Sequence, residues 1–356
     1  MPKPDPYDGR SEDPEQPARR KLQMTGGSTY TVSLPKTWAK AHALEPGMGV
    51  DVFPRPGWVA IRLAETDRHP PSVSIDATTR DPDELVRWVT AAYIAGSERI
   101  SIESIENGDQ RTAVRNAIRG LVGIEIQEET ETTIEAWTML DIHDLSAVQT
   151  INQMELMSVD MHEKAIHAAI SGDRDLATAV ASKDDNIDRL FALICRIFQR
   201  SVVNISIPIQ QNGLSTFEFY SAARQLERVA DHAEKIANTA QLIESSPPED
   251  LVSDIDQLGA ESREIVERSL ASLLEKHNSQ QPNAIFADGQ STIDAAQALD
   301  RRMYEVGFDD AYLYGTVVDS IIRTTEYGLN IAELAVQASL RETPRGRTAE
   351  VPIDGS

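Results

Sequence analysis

Residues 222–238 constrain this chain more than any other stretch. They read Ala222-Ala223-Arg224-Gln225-Leu226-Glu227-Arg228-Val229-Ala230-Asp231-His232-Ala233-Glu234-Lys235-Ile236-Ala237-Asn238. Leu226, Val229, Ala233, Ile236 and Ala237 recur at three- and four-residue steps, which predicts an amphipathic helix with one buried stripe. Glu227 and Asp231 are four apart, so their carboxylates stand one turn above the other on the same side. Two like charges at that spacing repel, and a hard metal cation is a candidate to neutralise them. A lone pair of this kind is ordinarily a solvated acidic face, but here a second pair precedes it. Asp184 and Asp188 repeat the spacing in Asp184-Asp185-Asn186-Ile187-Asp188-Arg189-Leu190. Two such helices, joined by a short turn around Pro208, can offer four carboxylates to one site.

The run L-E-R-V-A-D-H-A-E-K-I-A-N at 226–238, with D-x-x-x-D-R-L at 184–190, resembles the PhoU family of phosphate-uptake regulators. The resemblance spans about residues 140–341. It implies two tandem three-helix bundles whose E(D)-x-x-x-D motifs hold clusters of metal ions, Fe or Zn, with Mg a further candidate. It also implies phosphate ABC transporter components or a sensor kinase as partners.

From Asp141 onward the pattern is helical, and before the tail prolines fall only at 208, 247, 248 and 282. Helices are expected at 141–171, 173–203, 214–245, 249–277, 284–306 and 311–341, six in two sets of three, forming bundles over 141–246 and 249–341. Sliding residues 234–238 onto 329–333 places Asp231 on Glu326 but Glu227 on Ile322. One helix earlier, Asp188 meets Asp300 while Asp184 meets Ala296. Asp300, Glu326 and Glu333 could still hold an ion, with weaker charge neutralisation. Asn238, seven residues past Asp231, returns to the acidic face as a further candidate ligand.

Residues 19–66 read differently. Short strands at 21–24 and 30–34 flank Gly26-Gly27, Pro35 opens a helix to Ala43, and two more strands form a hairpin around residues 54–57. So small a unit has little core of its own and is expected to complete one by dimerising. Between 19 and 65 it carries Arg19, Arg20, Lys21, Lys36, Lys40, Arg55 and Arg62 against Glu45, Asp51 and Glu65, a net of +4 in a chain of −23. A basic island in an acidic chain suggests nucleic acid, the alternative being a plain dimerisation module. The words GSTYTVSLPK (27–36) and LEPGMGVDV (44–52) resemble the SpoVT/AbrB swapped-hairpin DNA-binding domain. That resemblance implies a homodimer on DNA. Arg19, Arg20, Lys21, Lys36 and Lys40 are then expected at phosphates, and Thr25, Ser28, Thr29 and Tyr30 beside the glycine turn at base edges and groove shape.

Residues 70–139 alternate strand and helix as a β-α-β-α-β-β unit with no phosphate-cradling glycine loop, a spacer or a sensor. The chain is thus expected to be multidomain, with disordered tails at 1–18 and 342–356. It has no apolar run near 18 residues, no visible signal peptide and one cysteine, so a reducing, cytoplasmic setting is expected. Excess acid with 26 Arg against 8 Lys fits a halophilic, salt-rich cytoplasm, or else simply an acidic surface. Enzymatic function is not expected: there is no G-x-S-x-G elbow, and no histidine has an acid three residues before it, as carboxylate-bridged di-iron bundles require. Two readings remain, a phosphate-responsive transcriptional regulator and an adaptor that restrains a transporter or kinase without binding DNA.

Overall fold

The structure is a computed structural model, and it describes residues 18–55, 57–63, 71–140, 145–203, 210–275 and 282–342. The expected tails (but for Ala18 and Glu342), the turn at Pro208 and the boundary near residue 66 lie outside the described residues. Contacts divide the chain into two units, Met1–Arg68 and His69–Ser356.

The first unit has the order strand, strand, helix, strand, strand. β1 (Gln23–Thr25) pairs antiparallel with β2 (Thr29–Thr31). The turn between them needs Gly26 and Gly27, both at positive φ (65° and 79°), a region that side chains rarely adopt. After Pro35, α1 spans Lys36–Ala41, and β3 (Val50–Arg55) pairs antiparallel with β4 (Trp58–Leu63). Among the described residues of this unit only Ala60 is a buried apolar residue. Leu22, Met24, Tyr30, Val52, Trp58 and Val59 are among eleven large apolar side chains left exposed, half of those in the described chain.

The second unit begins with a four-stranded sheet. It holds β5 (Ser72–Asp76), β6 (Arg99–Glu103), β7 (Ile124–Glu129) and β8 (Ile134–Thr138) in the order β5-β6-β8-β7. β5 and β6 are parallel, as the crossover through α2 (Pro82–Ile94) requires, and the other pairs are antiparallel. α2 and α3 (Gly108–Arg119) cover the face bearing Ile75, Ile100, Ile102, Ile124, Ile134 and Ala136. Asp81 and Asn107 cap these helices by accepting from the amides of Glu84 and Gln110.

The rest is helical: α4 (Ala147–Ser171), α5 (Arg174–Ala181), α6 (Asp184–Val203), α7 (Thr216–Ala240), α8 (Glu249–Leu274), α9 (Pro282–Val306) and α10 (Ala311–Glu342). The single helix expected over 173–203 is two. Ser182 and Lys183 close α5 with tight backbone bonds to Thr178, Val180 and Asn186, and Lys183 reaches Asp160 of α4 at 3.1 Å. Asp184 and Asp185 then open α6, where a helix start favours negative charge. The helix expected over 214–245 is shorter, because β9 (Gln210–Gln211) and β10 (Leu214–Ser215) form a small hairpin ahead of α7 and the helix stops at Ala240. Glu218 accepts from the Ser215 amide at 2.6 Å and fixes that start.

α7 packs on α4, α6 and α10, while α10 packs on α8 and α9. One continuous core takes residues from all seven helices, so the two sets of helices are not separate bodies. Gly328 lets α10 approach α8: a Cβ there would stand 3.0 Å from the Val266 amide nitrogen. The sheet domain joins through α6. Ala192 enters its core, and the fully buried Arg196 donates to the carbonyls of Tyr93 (2.5 Å) and Ser97 (2.9 Å) with its guanidinium over the Tyr93 ring. Arg200 pairs with Glu98 at 2.9 Å beside it.

Candidate functional site

α6 and α7 run antiparallel, and aromatic packing fixes their register. Phe198 stacks on Tyr220 with centroids 5.0 Å apart, and Ser201 and Thr216 share a hydrogen bond of 2.7 Å. That register brings Asp184 and Asp188 of α6 opposite Glu227 and Asp231 of α7. Their proton affinities report the crowding. Burial, then the charges of Asp188, Glu234, Asp231 and Asp185, pushes Asp184 up to about 7. Glu227 is raised by burial and then by Asp231, with Arg224 opposing from 3.8 Å. Asp188 and Asp231 are more open to solvent, yet partial desolvation between the helices and then their acidic neighbours raise them too. Two buried carboxylate oxygens, Asp184 Oδ1 and Glu227 Oε2, have no hydrogen-bond partner among the described residues.

The sequence reading missed Glu234, which acts on Asp184, Asp188 and Asp231. The signal was present, since Glu227, Asp231 and Glu234 are spaced i, i+4, i+7 on one helical face. Asn238 is not drawn in with the acids as a group. It is exposed, donates weakly to Glu234 at 3.4 Å and accepts from Gln241.

The three acids of the second repeat do not assemble. Ala296 is buried in the core and Ile322 packs against it, so the matching positions hold the fold together. Glu326 pairs with Arg323 at 2.8 Å, Asp300 lies against α10 at Gly315, and Glu333 is exposed. Among the described residues, no three His, Cys, Asp or Glu side chains stand ready-placed to hold an ion. The α6/α7 acids offer mutually repelling oxygen donors, two of them without a partner among the described residues, which is the donor chemistry a hard cation takes.

Other singled-out residues resolve plainly. His232 is an interface residue, its Nε2 3.3 Å from the Tyr327 hydroxyl of α10. Cys195 is buried, which pushes its thiol up to about 11 and away from the thiolate form.

In the first unit the proposed phosphate contacts Arg19, Arg20, Lys21, Lys36 and Lys40 are all exposed, as are Thr25, Ser28, Thr29 and Tyr30 of the first hairpin. Lys36 and Lys40 lie four apart on α1. Arg62 pairs with Asp51 at 2.7 Å, so it adds less to any basic patch than its charge suggests.

The PhoU domain matches residues 151–240, about a quarter of the chain and the segment that holds the acids of α6 and α7. The crystal structure of PhoU from Pseudomonas aeruginosa superposes with a TM-score of 0.50 at 18% identity, covering 55% of this chain and 96% of that one. The phosphate transport system regulatory protein PhoU from Streptococcus pneumoniae superposes with a TM-score of 0.46 at 21% identity, covering 56% and 96%. No curated protein matches the sequence. The helical half thus resembles the PhoU fold. Among the described residues, no helix is long and apolar enough to cross a membrane.

Proposed function

We propose that this chain is a non-enzymatic regulator of phosphate uptake whose helical half, two tandem bundles on a shared core, is loaded by a cation between α6 and α7. The carrying observation is a coincidence of place. The PhoU domain match covers 151–240, and within it lie Asp184, Asp188, Glu227, Asp231 and Glu234, two of them with buried, unpartnered carboxylate oxygens. A bound divalent or trivalent ion supplies the positive charge these acids lack and cross-links α6 to α7. An all-oxygen donor set suits Fe(III) or Mg better than Zn.

The first unit supports DNA as the output. Its exposed apolar side chains need a cover, which an interleaved second copy in the swapped-hairpin manner would supply, and dimerisation would double the basic residues. One observation favours the adaptor reading instead. The helical half alone accounts for 96% of the similar Pseudomonas chain, so the regulatory part needs no DNA-binding unit to be complete.

The test is footprinting of the full chain on duplexes taken upstream of phosphate-uptake genes, alongside pull-down with phosphate ABC transporter components and a sensor kinase. Protection of a defined sequence supports the regulator. Pull-down without protection puts the adaptor first, and neither result removes phosphate uptake as the setting.

A further inference from the structure

Six helix ends meet where α4, α7 and α9 finish and α5, α8 and α10 begin. Tyr314 donates to the Ala169 carbonyl at 3.0 Å, pinning the first turn of α10 to the end of α4. Arg174, at the start of α5, donates to the Ile243 carbonyl at 3.2 Å. Asp310 accepts from the amides of Glu244 and Ser245 at 2.8 and 3.0 Å, and clamps the α7–α8 link against the α9–α10 link. The result is a preformed platform.

On this platform four large apolar side chains point outward. Tyr304 is 79% exposed, Tyr312 70%, Leu242 65% and Val306 50%. Tyrosines left this open on a hydrogen-bonded scaffold are typical anchors of binding surfaces, with wide contact area and little rotamer entropy to lose. The surround is acidic. Asp173, Glu244, Glu249, Glu305 and Asp309 are exposed there against the exposed Arg174 and Arg301, while Arg302 is taken up by Asp250 and Asp254, so acid prevails.

We propose that this end of the helical half is a docking surface for a basic peptide segment, one that lays apolar side chains on the exposed Tyr304, Tyr312 and Leu242 and its Lys or Arg residues on the acidic rim. Charge selects this occupant. An anionic membrane or a nucleic acid meets like charge here, and a second copy would set the same acidic rim against itself. The surface is separate from the acids of α6 and α7 and does not depend on a cation there.

The test uses the full chain and a short amphipathic peptide of Leu, Lys and Arg, with a control peptide of equal charge in which Ser replaces Leu. Binding is followed by fluorescence anisotropy and located by hydrogen exchange. The Leu peptide should bind more tightly and protect residues 241–250 and 301–314. Tyr304→Ser with Tyr312→Ser should weaken it by about tenfold or more and leave the control peptide unchanged. Both side chains are exposed, so an unaltered melting curve confirms that the variant folds. Protection centred on α6 and α7, equal binding of the two peptides, or an unaffected variant would overturn the proposal. So would binding of vesicles rich in anionic lipid, or self-association abolished by the same substitutions.

Discussion

His162 shows what burial does to one residue. It lies on α4 with no exposed surface, and neither ring nitrogen has a hydrogen-bond partner among the described residues. Burial first, then the positive charge of Arg263 and the neighbouring His232, lowers its pKa to about 3. The folded value lies below the unfolded one, so the neutral ring's contribution is fully present above about 6.5. It is lost as pH falls from there toward 3, because the unfolded state binds the proton first. His162→Leu should therefore lose less stability than the wild type between pH 7 and pH 5, by about 1 kcal/mol or more in urea titrations at each pH. Parallel pH profiles for the two proteins would contradict this. The acids act in the opposite direction: Asp184 and the half-buried Glu155 beside Glu267 are each pushed up to about 7, so the wild type is squeezed from both sides.

α6 is the element on which the second unit turns, because it faces α7 with its acids and the sheet domain with Arg196. Arg196→Ala would take the charged donor from two carbonyls, leaving Tyr93 O the Gly96 amide and Ser97 O the Thr138 hydroxyl, and open a cavity under Tyr93. It should cost about 2–4 kcal/mol and raise hydrogen exchange across residues 93–99 ahead of the bundle core. Exchange that rises uniformly, or not at all, would show that Arg196 is not the fastening. Elements of this kind mark how far the sequence could be read. The strands and helices of 72–138 follow from alternation and caps, and α7 from its apolar stripe. The break at Ser182-Lys183 carries no Pro or Gly, so periodicity ran straight through it. The Arg196 contact spans about a hundred residues, and no local pattern encodes it. The acid pairs were legible as spacing, and their absence from the second repeat was legible only as Ala296 and Ile322. The structure adds the reason: those positions serve the core.

At the scale of the whole molecule, each unit leaves something unfinished. The first exposes apolar strands, and the second gathers unneutralised acid. If a second copy covers the strands, Val52→Asp with Val59→Asp should convert a dimer to a monomer in sedimentation and abolish any DNA footprint. Lys36→Ala with Lys40→Ala removes four lysines from a dimer, and should leave the dimer intact and reduce the slope of log affinity against log salt by about 4. A monomeric wild type would remove the dimer and the patch together. The acid is the more direct test, since the proposed cation joins the matched segment to its chemistry. Elemental analysis of the full chain, purified without chelator, should find metal in the wild type and in Asp300→Ala with Glu326→Ala. It should find none in Glu227→Ala with Asp231→Ala. A metal-free wild type, or undiminished metal in the Glu227 and Asp231 variant, would contradict a cation site between α6 and α7.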